Sequence, residues 1–291
     1  MKSTHCALVL LLSAASVALL ILPATGSAES NIHYGAPVDA GRGTMRTYLA
    51  FDSTGKPMEL GILIDADALQ GLPTGHSTSG RCFDVNGNGR IDASGECEGD
   101  YEYALTMPAV VADRWDIPVQ WVGANWNAHG HVPPGVYDLP HFDFHFYIAN
   151  EAAVRAIRVG PCGFFMNCED FERATQPVPA KYVHPAHVSV GAAVAAMGDH
   201  LIDTTSPEFA KPPRKFTHTW IFGAYDGRIT FLEPMITREF LMTRPNICVP
   251  IKQPAAWQIS GYYPTRYCMR YHDRARKYTV SLEGLQYRQA G

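Results

Sequence analysis

The run PHFDFHFY from Pro140 to Tyr147 constrains this chain more than any other segment. As a β-strand it sends alternate side chains to opposite sides. Phe142, Phe144 and Phe146 then form an apolar face suited to a core, while His141, Asp143, His145 and Tyr147 line the other face with groups that titrate, coordinate and hydrogen-bond. The second face is the candidate for chemistry. A metal site, a proton-transfer site and a satisfied polar ladder all fit it.

The rest of the chain supplies the strands such a segment needs. Thr44 to Phe51 and Met58 to Ile64 read as a hairpin joined by turn chemistry at Asp52 to Pro57. Further strands are expected at Ile117 to Gly123, Asp138 to Ile148, Phe216 to Ala224, Arg228 to Leu232 and Lys277 to Leu285, where β-branched and aromatic residues are enriched. Asp226-Gly227 supplies the positive φ of a tight reversal. Helices are expected to be short and few: Glu151 to Arg158, with Val190 to Met197 or Ile236 to Met242 as further candidates. The 21 prolines interrupt any longer helical period. The expected fold is mainly β, a barrel or sandwich with a few short helices and long loops, stapled by disulfides.

The N-terminus carries Lys2, an apolar run from Cys6 to Leu22, and small residues Gly26, Ser27 and Ala28, the pattern of a signal peptide over residues 1–28. The mature chain is then a single β-rich domain over 29–291, periplasmic or extracellular. No later stretch is long and apolar enough to span a bilayer. The formal net charge is −4 and no basic block occurs, which argues against nucleic acid as a partner. A small-molecule ligand or substrate and a homo-oligomer are the partners left open.

Six of the seven cysteines follow the leader and fall in three neighbouring couples. Loop-closure entropy favours pairing near neighbours, so Cys82–Cys97, Cys162–Cys168 and Cys248–Cys268 are the expected disulfides. No couple has the Cys-x-x-Cys spacing of a zinc knuckle.

Between residues 74 and 100 lies a polar, glycine-rich stretch that reads as a surface insertion. Within it Asp84, Asn86, Asn88 and Asp92 occupy positions 1, 3, 5 and 9 of an EF-hand-like loop, with Gly89 at 6, Arg90 at 7 and Ile91 at 8. Position 12 is Gly95, and Glu96 follows one place late, so the glutamate must reach a calcium ion by altered geometry. Calcium here is expected to be structural, with Cys82–Cys97 holding the loop ends together.

Eight of the twelve histidines fall between His129 and His218. In a strand, residues four apart are separated by roughly 13 Å, so His141 and His145 do not readily share one ion, whereas neighbours about 7 Å apart do. A divalent transition metal is expected to use His141 with Asp143, or Asp143 with His145, completed by His200 and Asp203 if Met197 to Asp203 turns helically. His131 belongs to the same candidate site, and Glu233 is the candidate catalytic base.

The runs WNAHGHVP (126–133), GVYD (135–138) through Tyr147, MGDHLID (197–203) and FGAYDG (222–227) through FLEPM (231–235) resemble a family of secreted bacterial proteins classed as a domain of unknown function. The resemblance covers about Tyr34 to Met242 and leaves the calcium-like loop as an addition. It implies a β-rich fold and a shared polar cluster of His131, His141, Asp143, His145, His200, Asp203 and Glu233, without implying an activity.

Two functions compete at this stage. One is a secreted metalloprotein, a metal-dependent hydrolase, in which the ion activates water. The other is a non-catalytic binding or structural envelope protein stabilised by calcium and disulfides. No Gly-x-Ser-x-Gly elbow supports a serine hydrolase, and His-x-Asp-x-His is not the His-x-His pattern of a cupin oxygenase.

Overall fold

The computed structural model describes Met1, residues 31–78 and residues 81–291, so the expected leader lies outside the described residues apart from Met1. The early strands are β1 (Asn31–Tyr34), β2 (Val38–Ala40), β3 (Gly43–Phe51), β4 (Pro57–Asp65) and β5 (Tyr101–Thr106). The middle of the chain forms β6 (Trp121–Asn127), β7 (His141–Tyr147), β8 (Val159–Cys162), β9 (His187–Val194), β10 (Gly198–Asp203), β11 (His218–Tyr225) and β12 (Arg228–Thr237). Then come β13 (Asn246–Pro250), β14 (Gly261–Tyr263), β15 (Arg266–His272), β16 (Lys277–Glu283) and β17 (Gln286–Arg288). Among the described residues three short α-helices, α1 (Glu151–Arg155), α2 (Cys168–Ala174) and α3 (Arg238–Met242), complete the regular structure with a few single turns.

Two antiparallel sheets of seven strands share one core. The first runs β1-β3-β4-β16-β15-β13, with β2 beside β3, and the second runs β5-β6-β7-β12-β11-β10-β9. Met45 and Leu49 on β3, Ile62 and Ile64 on β4 and Val280 on β16 meet Phe142, Phe144 and Phe146 on β7, all of them buried. The three phenylalanines therefore occupy the face expected of them. Both sheets keep free edges among the described residues, so the architecture is the open, sandwich form and not a closed barrel.

All three expected disulfides are present. Cys248 and Cys268 are direct cross-strand partners of β13 and β15, and Cys162–Cys168 ties β8 to α2. Val190 to Met197 departs from expectation. Its alanines favour a helix by propensity, yet β9 pairs with β10 through a turn in which Ala196 and Gly198 take positive φ. Cross-strand pairing outweighs a helical preference worth only tenths of a kcal/mol per residue. Among the described residues no helix is long and apolar enough to cross a membrane.

The outer face of the second sheet is covered rather than open to water. Val154 of α1 packs there with Trp121, Tyr147 and Phe231, while Phe164, between β8 and α2, bridges to Val194 of β9. The polar row of β7 thus lies beneath a second layer, with His141 and His145 at 0% exposure and Asp143 at 5%.

Candidate metal centre

Register sets the site. On the outer face His141, Asp143 and His145 stand opposite Asn127, Asn125 and Gly123 of β6, and Asp143 stands opposite Met235 of β12. Glu233 faces Ile221 across β12 and β11, and His200 on β10 faces Gly223 of β11. His200 starts three strands from His145, yet their Nε2 atoms lie 3.4 Å apart.

The tautomers follow from what each ring faces, since a carbonyl oxygen can only accept a hydrogen bond. Nδ1 of His141 donates to Leu139 O (2.6 Å), that of His131 to Val132 O (2.8 Å) and that of His200 to Ala192 O (2.8 Å). His145 Nδ1 meets Asn125 Oδ1 at 3.0 Å. The Asn125 amide nitrogen donates to Asp100, which fixes the amide with its oxygen toward His145. Arg81 in turn pairs with Asp100 and, at 3.1 Å, with Glu102. Every one of the four imidazoles therefore turns Nε2 toward the site. Donation by the remote nitrogen to a carbonyl or amide oxygen is the usual support for a metal-ligating histidine.

The Nε2 atoms converge on two carboxylates. Glu233 Oε1 is 3.5 Å from His145 Nε2 and Oε2 is 3.9 Å from His200 Nε2. Asp143 Oδ1 is 3.0 Å from His141 Nε2, and its Oδ2 is 3.3 Å from His131 Nε2 and accepts from Asn127 Nδ2 at 2.7 Å. In each trio the candidate ligand atoms lie within 4.8 Å of one another. Glu233 is 1% exposed, and its Oε2 has no hydrogen-bond partner among the described residues.

Burial and neighbouring charge divide these groups. Burial, then the charge of His200, pushes His145 down to about 3, and burial pushes His200 down to about 4. Burial, then the charge of Asp143, drives Glu233 well above the usual carboxylate range. Burial works upward on Asp143 as well, but His141 and His131 outweigh it and hold this carboxylate well below its ordinary value. For His131 burial acts downward, and Asp143 outweighs it to raise the ring to about 9.

A cavity of about 320 Å³ opens beside both trios, reached by His131, Asp143 and His200 and walled mainly by apolar side chains such as Val194, Met197 and Ile221. Glu98 also lines it, its carboxyl pushed up to about 7 by burial.

Of the residues expected from sequence, His131, His141, Asp143, His145, His200 and Glu233 are brought together, in two groups rather than one. Glu233, expected as a base, lies against two imidazoles in the position of a ligand. Asp203 is not part of the site: its carboxylate accepts from Lys252 Nζ at 2.6 Å. The reason is the strand. A helical turn would align His200 with Asp203, whereas residues three apart in a strand fall on opposite faces. His129 belongs to neither trio and stacks on His76, with ring centroids 4.3 Å apart.

The stretch expected as a surface insertion reaches inward at both ends. Arg81 and Asp100 are 6% and 4% exposed, and with Glu98 they belong to the site's surroundings. Nothing in the local pattern around Arg81 marks it. Asn125 and Asn127 fall beyond the strand expected to end at Gly123, and the signal that marks them is the alternation of WVGANWN, which continues that strand to Asn127. In the calcium-like loop Glu96 does reach across: Oε1 accepts from the Val85 and Asn86 amides and Oε2 from the Asp92 amide. Asp84 accepts from the Asn88 and Gly89 amides.

Two predictions arise here. Gly223 lies between His200 and Phe231 in the register, and a Cβ there would overlap the Phe231 ring. Phe231 packs edge-on against His145 at 4.8 Å. Gly223→Ala is expected to cost about 1–3 kcal/mol, by the usual penalty of overpacking, read as a lower urea midpoint. An unchanged midpoint would show that Phe231 has room to move.

The second concerns pH. His145 and His200 are neutral in the fold but ordinarily titrate near 6.5. On these two rings the unfolded chain binds protons first on acidification, so the stability they contribute is lost as pH falls from about 6.5 to about 3, against an opposite contribution from Glu98 and Glu233, whose raised carboxyls hold protons in the fold. Denaturation curves of chelator-treated protein should therefore lose less stability on acidification in His200→Asn than in wild type, the difference between the two isolating this ring. An acid limb of unchanged slope in that variant would contradict burial of a neutral ring.

No family model, curated protein or solved structure was found to match this chain.

Proposed function

We propose that this is an extracytoplasmic metalloprotein in which His145, His200 and Glu233 hold a divalent transition ion for hydrolysis of a small, largely apolar substrate in the adjoining cavity. The observation that carries the reading is the facing pair of Nε2 atoms 3.4 Å apart. With both Nδ1 atoms already donating, neither Nε2 has a hydrogen to offer. A proton on Glu233 satisfies one ring and leaves the other without a donor among the described residues, whereas a cation satisfies both rings and the carboxylate together. Two imidazoles and one carboxylate suit zinc, iron or manganese.

A bound ion of this kind lowers the pKa of water and polarises a substrate carbonyl. The protein's own groups do the rest. Apolar walls exclude bulk water, and Glu98, near 7 on the same cavity, is matched to accept a proton at neutral pH. Glu98 thus takes the base role first expected of Glu233.

The test is hydrolysis of small aryl esters by protein purified without chelator or metal-affinity tag. Activity is expected to vanish on chelation and return with zinc, manganese or cobalt. Protein that copurifies with no transition metal and gains no activity from any of them would point to the non-catalytic envelope reading.

The loop from Asp84 to Glu96 we propose separately as a structural calcium site, supported by its ligand spacing and by the reach of Glu96. Millimolar calcium should raise the melting temperature of the wild type and not of Asp84→Ala.

A further inference from the structure

The geometry points to a second divalent-cation site in the same cavity, formed by His131, His141 and Asp143, so that the protein carries two ions side by side on the outer face of the second sheet. This deepens the proposed function and rests on it only for the first ion.

His141 is fully buried and its Nδ1–H is committed to Leu139 O, so once an ion displaces the proton that the ring holds beside Asp143, Nε2 presents a lone pair. That nitrogen sits 3.0 Å from Asp143 Oδ1, yet both atoms lack a hydrogen-bond partner among the described residues. The pair is close but misaligned: a proton on Nε2 would not point at the carboxylate oxygen. Neither a ring proton aimed past the carboxylate nor two facing lone pairs satisfies this buried pair, and a metal ion lying off their connecting line engages both.

The third ligand is delivered by a loop built to deliver it. Gly130 adopts φ 70°, and a Cβ there would run into the backbone of residues 137–139. The chain can therefore fold down against that backbone, where the His131 amide donates to Tyr137 O at 3.1 Å. The His131 ring is then held by Val132 O with Nε2 on Asp143, its centroid 4.7 Å from that of His141. Phe216 packs edge-on against the His141 ring and Tyr137 against that of His131.

Two imidazoles and a carboxylate select a borderline ion such as zinc or cobalt over calcium, which prefers six to eight oxygens. Asp143 and His145 are two residues apart on one strand face, about 7 Å between Cα atoms, so each ion has its own ligands and both border one cavity.

The probe is zinc or cobalt alone, added to chelator-stripped full-length mature protein and counted by elemental analysis after gel filtration. Wild type is expected to retain two ions per chain, and His131→Ala, His141→Asn and His145→Asn one each. His131→Ala is the safest variant for folding because its ring is on a loop and partly exposed, and near-ultraviolet circular dichroism checks each variant. A wild type that retains one ion, unaffected by His131→Ala, overturns the second site and leaves the first standing. A wild type whose single ion survives His145→Asn and is lost in His131→Ala sustains the second site and overturns the first. A wild type that retains none overturns both.

Discussion

Arg81→Ala is expected to destabilise the protein by about 3–5 kcal/mol, the range found when one partner of a buried ion pair is removed. Arg81 is 6% exposed and pairs with Asp100 and Glu102, both largely withdrawn from solvent. Without the guanidinium, Asp100 loses its ion-pair partner and Glu102 keeps only Arg155. In a domain of this size the loss corresponds to roughly 10 °C in melting temperature. The same change reaches the candidate centre, because Asp100 orients Asn125 and Asn125 sets the tautomer of His145. Metal affinity should therefore fall by about 10–100-fold, as for other supporting residues. Arg81→Ala with Asp100→Asn should recover part of the stability. A melting temperature within a degree or two of wild type would show that the carboxylates find other partners.

His200→Ala is expected to weaken binding of the first ion by more than 100-fold, beyond the effect of losing a supporting residue. It should abolish metal-restored ester hydrolysis. Its cost to the fold should be small by comparison, because the ring is 13% exposed and borders the cavity. That contrast separates a ligand from a packing residue. Competition titration with a chromophoric chelator measures the affinity, and a dissociation constant within tenfold of wild type would remove His200 from the ligand set.

The strand at the centre of the site was legible in the sequence because its alternation is unbroken from His141 to Tyr147. The disulfides were legible because their cysteines are near neighbours, and β13 and β15 simply place one couple in register. His200 was legible as a candidate but for the wrong reason: its spacing from Asp203 suggested a helix, whereas strand pairing delivers it toward His145 and sends Asp203 to Lys252. Arg81, Glu98 and Asp100 could not be read at all. They lie in a glycine-rich stretch without periodicity, and their burial depends on how that stretch lies over β5 and β6. The division of the polar row into two trios was likewise invisible, since it requires knowing that Glu233 stands beside His145 and that the loop at Gly130 returns His131 to Asp143.

Because β7 carries the core on one side and the candidate ligands on the other, its sequence cannot tolerate a change of length. One residue inserted between His141 and His145 would turn the following phenylalanines into the polar layer and the following histidine into the interior. Substitutions can tune this strand position by position. Insertions and deletions cannot, so length variation among any descendants of this chain should collect in its loops and leave the spacing from His141 to Tyr147 intact.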